Sequence, residues 1–555
     1  ADGYVSRIKI QVHGYGKAIY IDHPNGYTTV YAHLKNYNPT IDSIIKATQY
    51  QNKSYEVNYF PPKGSIKIKK GDVIAQSGNT GGSMGPHLHF EIRNSKQEPI
   101  NPLLFGFSEI KDNLPPTISN IAITPLAINS RINGEFNETV FKTRQINSKT
   151  YHLTPNDTIY VNGPFHLNLE AIDRLNGVPN KNGIYTIQIS IDGTFFYKMD
   201  IDKFSFAHTR MINEQINYRL YKSGGKRFYK IHYNNKNRLS FYDKFINDGV
   251  LDFTDAKAHE VIIDCIDAYD NKSSLSFILK NGNVTPSGKN VNKDKKATYN
   301  IINNTMCIIV PTKTEAPVTS HSLQNEQAIF PAYHQDHSTY YLIDLSKDLP
   351  QYIAQDSVLI KFPYLQELEV NKGYAFNYKQ LKVNFPKNAI YSTMYLTIDD
   401  DSSSVTVGDE HNPLYKNITV KNKAFHKEEN PYLGVYSVDS RGRLDYESFW
   451  WEPDGITFKT RSLGEFRYVN DSIPPKINTI QLSTKQVIFK IEDDLSGISK
   501  IHVTINGKWL LMNYDYKTGK IWSETLIKNQ PLKGDLSVKI TDKQGNISTF
   551  AKKLP

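Results

Sequence analysis

The chain has 555 residues, a length that accommodates roughly three or four domains. Its formal net charge of +10 is spread along the sequence, and no lysine- or arginine-dense helix pattern occurs, which argues against a nucleic-acid-binding protein. No apolar run approaches the ~18–20 residues that a membrane-spanning helix requires. Aromatic residues make up 12% of the chain and β-branched residues are frequent, so the composition predicts an all-β protein.

Residues 1–107 form a dense series of predicted strands. Residues 4–12 and 17–22 are predicted strands, and residues 23–26 contain the Asn-Gly pair typical of a hairpin turn. Residues 27–33 form the returning strand and end at His33. The segment 36–66 follows, about thirty residues long, with a possible short helix near residues 43–50.

A short alternating segment after the glycine-rich run 78–85 carries two histidines. Since residues two apart share a face of a strand, one face holds His87, His89, Glu91 and Arg93. The other face holds Leu88, Phe90 and Ile92, which we expect to point into a core. Of two imidazoles on one face, one can bind a metal while the other handles protons. Glu91 either orients a histidine or is an exposed strand carboxylate, and the second alternative is the more common one.

Paired prolines after Asp112 and after Asp471 mark the starts of two similar modules, because proline donates no backbone hydrogen bond and keeps the chain extended. Repeated strand–Asp–turn–strand patterns within these modules are typical of immunoglobulin-like β-sandwiches. The predicted domains are 1–107, 113–281 with an insertion near 202–247, 297–470 and 471–555. A polar linker is predicted at 281–296.

Several residues have an ordinary alternative to a chemical role. Cys265 and Cys307 lie in apolar runs and are expected to be buried, with a disulfide as the minor alternative. His334 and His337 suggest a metal site but have no third partner in the sequence, so they are expected in a loop. The paired carboxylates at 399–401 and 493–494 either bind calcium or cap turns, and turn capping is the more common role.

Six blocks of residues 1–107 resemble, in the same order, the M23 family of zinc metallopeptidases, which includes the LytM and lysostaphin-like peptidoglycan endopeptidases. The blocks are Ala-Asp-Gly at 1–3, Gly-Tyr-Gly at 14–16, Tyr-Ala-His-Leu at 31–34, Lys-Gly-Asp-Val-Ile-Ala at 70–75, Gly-Asn-Thr-Gly at 78–81 and Gly-Pro-His-Leu-His-Phe-Glu at 85–91. The resemblance implies a small, mostly antiparallel β domain with a groove, followed here by the β-sandwich modules. It also implies that segment 36–66 is longer than in compact members, either as a wall or lid over the groove or as a packed surface insertion.

The resemblance implies a zinc ion held by three protein ligands, of which His89 matches the second histidine of the family's His-x-His motif. His33 and His87 match the family's non-ligand active-site histidines. The other two ligands come from a His-x-x-x-Asp motif that precedes the Ala-Asp-Gly strand, and this sequence shows no such motif. We therefore expect either an N-terminally truncated enzyme or a degenerate relative, and truncation is the favoured interpretation. Residues 1–555 alone are then expected to be inactive.

The function predicted from this resemblance is a zinc metalloendopeptidase of the bacterial cell envelope or periplasm that cleaves peptide cross-links of peptidoglycan. A second hypothesis is a non-catalytic envelope scaffold that binds peptide or other envelope proteins through the β-sandwich modules. A third, weaker hypothesis is a peptidase that acts on proteins. None of them involves nucleic acid or a membrane span within this sequence.

Overall fold

A computed structural model of the chain describes residues 1–286, 296–323, 325–355, 358–362, 364–401, 403–527 and 529–555. Residues 287–295, most of the predicted polar linker, lie outside this part of the chain. Strands are the predominant secondary structure of the described residues and form several mainly antiparallel sheets, which confirms the all-β prediction. Among these residues, we find no helix with the length and apolar character needed to cross a membrane.

The chain divides into two compact units. The first comprises Ala1–Pro102, Phe425–Ile456 and Phe466–Pro555, and the second comprises Leu103–Ala424 and Thr457–Glu465. The first unit therefore combines the two ends of the sequence.

Residues 1–102 form one main sheet, in the order β5-β1-β2-β3-β8-β9, with β6 also beside β1 and a small separate pair of β4 and β7. The elements are β1 (Gly3–Ile10), β2 (Lys17–Asp22), β3 (Thr28–Ala32), β4 (Asn36–Tyr37), α1 (Pro39–Asn52), β5 (Val57–Tyr59), β6 (Lys67–Ile68), β7 (Ala75–Gln76), β8 (His89–Arg93) and β9 (Pro99–Ile100).

Helix α1 lies within the segment 36–66 and is longer than the predicted helix. It begins where the Asn38 side chain accepts a hydrogen bond from the Ile41 amide (3.0 Å), and Pro39 supplies a favourable first residue. Ile41 and Ile45 are buried in the core of this domain, together with apolar residues of β1 and β2. Of the two alternatives for segment 36–66, a wall or lid over the groove and a packed surface insertion, this packing agrees with the second.

Residues 476–554 form two four-stranded sheets, β41-β42-β46-β45 and β44-β43-β47-β48, which share one buried core. The strands alternate inward and outward, as in β47, where Leu536, Val538 and Ile540 are buried. We call this part the C-terminal module. Its strands are β41 (Lys476–Leu482), β42 (Val487–Glu492), β43 (Ile498–Ile505), β44 (Lys508–Trp509), β45 (Leu511–Asp515), β46 (Lys520–Glu524), β47 (Gly534–Asp542) and β48 (Ile547–Leu554).

Within the first unit, helix α1 contacts the C-terminal module. Lys46 Nζ lies 2.7 Å from a Glu524 carboxylate oxygen, and the Tyr50 hydroxyl donates to the Glu524 carbonyl at 2.7 Å. The Tyr50 ring packs edge-on against Trp509, with 5.2 Å between ring centroids. The segment 36–66 thus joins the N-terminal domain to the C-terminal module.

Twelve strands of the second unit form a single sheet, in the order β18-β15-β10-β12-β13-β21-β20-β16-β17-β19, with β14 beside β21 and β11 beside β14. They are β10 (Thr117–Pro125), β11 (Arg131–Ile132), β12 (Thr139–Gln145), β13 (Thr150–Thr154), β14 (Thr158–Asn162), β15 (Phe165–Ile172), β16 (Thr186–Ile191), β17 (Thr194–Asp200), β18 (Tyr229–Ile231), β19 (Tyr242–Phe245), β20 (Ala258–Ile266) and β21 (Lys272–Asn281).

The predicted insertion near 202–247 contains short helices and two strands. The helices are α2 (Ile212–Gln215) and α3 (Tyr218–Gly224), and a 3-10 turn precedes α2. Strands β18 and β19 add to the two ends of the sheet, beside β15 and β17. Cys265 is buried on β20 and Cys307 is buried on the later strand Thr305–Val310, and both are free, as predicted.

The remaining strands lie between residues 298 and 470, where sheets β22-β23-β27-β26 and β25-β24-β28-β29 belong to the second unit. The strands are β22 (Thr298–Ile302), β23 (Thr305–Val310), β24 (Val318–His321), β25 (Glu326–Ile329), β26 (Tyr333–Gln335), β27 (Ser338–Asp344), β28 (Tyr352–Gln355), β29 (Val358–Lys361), β30 (Tyr364–Leu368), β31 (Tyr374–Tyr378), β32 (Leu381–Phe385), β33 (Met394–Asp400), β34 (Ser404–Val407), β35 (Ile418–Asn422), β36 (Leu433–Val438), β37 (Leu444–Glu447), β38 (Phe449–Glu452), β39 (Gly455–Thr460) and β40 (Gly464–Asn470).

The ion pair between Lys46 and Glu524 predicts a pH-dependent stability. Burial alone would raise the pKa of Glu524, but hydrogen bonds from Lys46 and Asn513 lower it below its usual value of 4.5. A carboxyl whose pKa is lowered by folding stabilises the protein above that usual value, and its contribution is lost as the pH falls through the lowered pKa. We expect Glu524→Gln to lower the free energy of unfolding by about 1 kcal/mol at neutral pH and by less below pH 4.5.

Calorimetric unfolding of both chains at neutral and acidic pH measures this difference. The matched control is Glu428→Gln, which changes an exposed carboxylate of the same unit and should leave stability unchanged. A loss of equal size at both pH values would contradict the electrostatic explanation.

Candidate active site

The glycine-rich loop 78–85 lies against the turn between β1 and β2, where two backbone segments cross at glycines. A Cβ atom on Gly81 would lie 2.3 Å from the Gly16 nitrogen, and one on Gly16 would lie 2.4 Å from the Thr80 carbonyl carbon. Both glycines also have positive φ angles, +62° for Gly16 and +72° for Gly81. The Gly82 amide donates to the Gly14 carbonyl at 2.7 Å. The crossing therefore requires glycine at both positions.

Thr80 connects this loop to the end of β3. Its hydroxyl donates to the Leu34 carbonyl (2.8 Å) and accepts from the Lys17 amide (3.0 Å), while its carbonyl accepts from His33 Nδ1 (2.8 Å). His33 directly follows β3 and has a φ angle of +57°, a conformation that side chains other than glycine adopt rarely. Unusual backbone angles of this kind persist where the surrounding structure holds them and occur often at functional sites.

The structure brings the three predicted site histidines together. The ring centroid of His33 lies 4.9 Å from that of His87 and 5.5 Å from that of His89. His33 directly follows β3, His89 is the first residue of the neighbouring strand β8, and His87 lies two residues before it. Pairing of β3 with β8 thus determines the proximity of the three rings.

Each of the three rings has one nitrogen bound to an oxygen that can only accept. His33 Nδ1 contacts the Thr80 carbonyl, His87 Nδ1 contacts the Gly85 carbonyl (2.8 Å), and His89 Nε2 contacts the Glu91 carboxylate (2.7 Å). These nitrogens must therefore carry the hydrogen. In the neutral rings, the lone pair lies on Nε2 of His33 and His87 and on Nδ1 of His89, where it can accept a proton or bind a metal.

Glu91 is the centre of a buried polar group, with 9% of its surface exposed. It accepts hydrogen bonds from His89, from the Tyr15 hydroxyl and from Arg93 Nε (2.7 Å). Burial alone would raise its pKa, but the bonds from His89 and Tyr15 and the Arg93 guanidinium lower the pKa to about 2. Glu91 is thus an ionised carboxylate that orients His89, the less common of the two sequence alternatives.

The predicted orientation of residues 87–93 is partly wrong. Ile92 is buried as expected, but Leu88 is 47% exposed. Arg93 contacts Glu91, with which it was predicted to share a face, and both side chains are buried. The sequence pattern missed this arrangement because Tyr15, which lies on a distant turn, satisfies Glu91 and Arg93. The Tyr31 ring packs against Phe90, with 5.4 Å between ring centroids.

Burial lowers the pKa of His33. The hydrogen bond to the Thr80 carbonyl opposes this shift, and the nearby His87, His89 and Lys517 reinforce it. The imidazole is therefore held in its neutral form at pH 7, with its lone pair on Nε2.

The donor set fits one ligand of a zinc site. A ligating histidine commonly donates its other ring N–H to a carboxylate, which is the arrangement of His89 and Glu91. Catalytic zinc needs three protein ligands. Among the described residues, two groups of three metal-ligating side chains occur, and neither includes His89. His13 packs against Tyr516, and His23 contacts the Thr29 hydroxyl.

Part of the chain is similar to known metalloproteases. The model of peptidase family M23 matches residues 50–102. The chain carries an M23-family peptidase domain. An uncharacterised metalloprotease of Haemophilus influenzae is 37% identical over 103 residues, which cover 19% of this chain and 17% of that protein.

Two further relatives match the M23 domain over similar lengths. The DD-carboxypeptidase/endopeptidase Mpg of Neisseria meningitidis is 36% identical over 103 residues, 19% of this chain and 18% of that protein. The cell division protein DipM of Caulobacter vibrioides is 29% identical over 109 residues, 19% of this chain and 14% of that protein. The match thus spans less than a fifth of the length of these three relatives.

One residue at the M23 site comes from the C-terminal module and was not predicted. Lys517 Nζ donates to the Gly81 carbonyl at 2.9 Å and to the Asn79 carbonyl. It therefore binds the backbone of the residues immediately before and after Thr80. The two contacts span more than 430 residues of sequence. No local pattern marks this lysine, since it lies in an ordinary turn between β45 and β46.

The remaining sequence candidates lie outside the M23 domain. His334 lies on β26 and not in a loop, which corrects that expectation, and its Nε2 is 3.0 Å from Glu315. Neither His334 nor His337 belongs to a group of three metal-ligating side chains among the described residues. Asp493 caps a turn, since it accepts from the Gly497 amide at 2.6 Å.

We expect Lys517→Met to loosen the glycine-rich loop without unfolding the M23 domain. Loss of charge-assisted hydrogen bonds at a partly exposed site costs about 1 kcal/mol, which corresponds to roughly 5-fold faster local opening. Hydrogen exchange of the Gly82 amide, which is bonded to Gly14, measures the effect. Lys520→Met, on strand β46 of the same module, serves as the control and should leave this exchange unchanged. Equal rates in both variants would show that Lys517 does not restrain the loop.

Proposed function

We propose that this chain contributes the catalytic groove of a zinc metalloendopeptidase that hydrolyses peptide cross-links of peptidoglycan. The observation that carries the proposal is the group formed by His33, His87 and His89, in which each ring has one nitrogen tied to an acceptor and the other left with a lone pair. A hydrolytic site needs a metal ligand and groups that move a proton, and this arrangement offers both.

His89 would hold the metal through Nδ1, with Glu91 fixing the ring by its bond to Nε2. When bound, zinc would supply a water of lowered pKa and polarisation of the peptide carbonyl. His33 or His87 would take the proton of that water on Nε2. The resulting imidazolium can stabilise the negative charge that develops on the carbonyl oxygen. The Thr80 and Gly85 carbonyls keep the two rings in the required tautomer.

The glycine-rich loop supports the proposal of a peptide substrate. A glycine-rich wall allows an extended peptide backbone to approach closely, which suits a flexible cross-link peptide. The name of the Neisseria relative includes endopeptidase activity, which agrees with this substrate type. We accordingly place the chain in the cell envelope or periplasm, where peptidoglycan lies, with the other β modules binding envelope proteins. A protein substrate is the alternative for the same chemistry.

A non-catalytic scaffold is the second candidate function. The observation that favours it is the presence of one fitting zinc ligand, where catalysis needs three, among the described residues. In that case the histidine groove would bind a peptide without cleaving it.

Zinc content and lysis distinguish the two functions. Two proteins are compared: residues 1–555, and the same chain extended at its N-terminus by a designed segment that carries the family's His-x-x-x-Asp motif. We expect residues 1–555 to release no peptides from purified peptidoglycan. We expect the extended protein to bind one zinc ion and to cleave.

His89→Ala in the extended protein should remove both the zinc and the activity. His334→Ala is the matched control, because this histidine lies on β26, outside the M23 domain, and is paired with Glu315. An extended protein that binds peptidoglycan but holds no zinc would establish the scaffold, and lysis by residues 1–555 that depends on His89 would refute the need for further ligands.

A further inference from the structure

Three aspartates meet at one end of the large sheet of the second unit. Asp112 precedes β10, Asp173 follows β15, and Asp267 follows β20. Each offers a carboxylate oxygen, and these oxygens lie within 4.8 Å of one another. Asp173 is 3% exposed and Asp267 is 2% exposed. We call this group the aspartate cluster. Like charges at such short distances repel strongly unless a cation lies between them.

Two oxygens of the aspartate cluster are buried without a hydrogen-bond partner, Oδ1 of Asp173 and Oδ2 of Asp112. A buried polar atom without a partner is costly and uncommon in folded proteins. Burial raises the pKa of Asp173 to about 6, and the nearby Asp267 and Asp112 carboxylates add to this shift. The cluster thus contains acceptor oxygens and negative charge that the surrounding residues leave uncompensated.

The third carboxylate is fixed by the hairpin that follows β20. Asp267 accepts from the amides of Tyr269 (2.8 Å) and Asn271 (2.9 Å), and the Asn271 side chain donates to it at 2.8 Å. The same Asn271 amide group also donates to the Asp112 carbonyl at 3.3 Å. Asn271 therefore holds the segment before β10 against the hairpin, so the three carboxylates are brought together by the fold and not by attraction between them.

A second group of three aspartates has a similar arrangement. Two of them belong to the C-terminal module, and Asp471 lies just before it. Asp471, Asp493 and Asp542 also offer oxygens within 4.8 Å of one another, and Asn546 bonds Asp542 and the Asp471 carbonyl as Asn271 does in the other module. Here Asp493 accepts from the Gly497 amide (2.6 Å) and Asp471 from the Ser496 amide (3.2 Å). None of these three carboxylates has a buried oxygen without a hydrogen-bond partner, unlike Asp112 and Asp173, which makes the second group a comparison for the first.

We propose that Asp112, Asp173 and Asp267 form a binding site for a hard divalent cation, calcium in particular. Calcium takes six to eight oxygen ligands at 2.3–2.6 Å, so two ligands on opposite sides of the ion lie about 5 Å apart. The three carboxylate oxygens lie within 4.8 Å of one another, so all three can reach one such ion. Zinc and other softer metals prefer imidazole or thiolate ligands, and none belongs to this cluster. Backbone carbonyls and water would complete the coordination.

The bound ion would fix the start of the module. It would join the segment before β10 to the turns after β15 and β20, which are far apart in sequence. Extracellular calcium-binding modules have dissociation constants of about 0.1–1 mM. A site of this affinity would be filled where calcium is plentiful.

Calorimetry on the full 555-residue chain tests the proposal with calcium chloride alone. We expect saturable binding in the range of about 0.1–1 mM and a rise in the unfolding temperature over that in chelator. Asp173→Asn should weaken binding at least 10-fold and remove the rise. In chelator, the same variant should unfold at a higher temperature than the parent chain, because one repelling charge is gone.

Asp112→Asn is the second variant, at a residue that is only partly buried, and it should have the same effects. Asp252→Asn, at an exposed carboxylate of the same unit, should bind calcium as the parent chain does. The proposal is overturned if calcium produces neither heat nor stabilisation, or if both persist in Asp173→Asn and Asp112→Asn. It is equally overturned if Asp493→Asn abolishes the response while Asp173→Asn retains it.

Discussion

The crossing of two backbone segments at Gly16 and Gly81 determines the geometry of the candidate active site. Because neither position has room for a Cβ atom, the glycine-rich loop lies directly against the turn after β1. This contact places the Thr80 carbonyl beside His33, and that carbonyl fixes both the ring orientation and the tautomer. The pairing of β3 with β8 then brings His87 and His89 to the same place. Imidazole chemistry at this site thus depends on a steric constraint between two residues that have no side chain.

The M23 site and the aspartate cluster differ in how far hydrogen-bond donors compensate the negative charge of their carboxylates. At the M23 site, Glu91 is buried but has three donors, so its negative charge is compensated within the domain. In the aspartate cluster, Asp173 and Asp112 have oxygens without donors. Both sites use carboxylates, and the difference lies in the partners that the fold supplies. A compensated carboxylate orients a neighbour, whereas an uncompensated group attracts an ion.

Sequence reasoning predicted what local patterns encode. Alternation and turn residues predicted the all-β class, and ordered motifs identified the M23 domain together with the histidines that the structure brings together. The burial of Glu91, the role of Lys517 and the meeting of Asp112, Asp173 and Asp267 were not predicted. Each of these depends on residues between 61 and 438 positions apart, and one sequence contains no signal for such contacts. The repeated hairpins with Asp267 and Asp542 were visible in the sequence, but their convergence with the paired-proline segments was not.

The contact between Lys517 and the glycine-rich loop has a consequence for biosynthesis. Its two ends are separated by 438 residues, and a ribosome adds roughly 5–20 residues per second. The N-terminal domain therefore emerges from the ribosome roughly 20–90 s before the lysine exists. During that interval helix α1 exposes the surface that later contacts Trp509 and Glu524. The nascent N-terminal domain thus lacks these contacts until the C-terminal module has been synthesised and has folded.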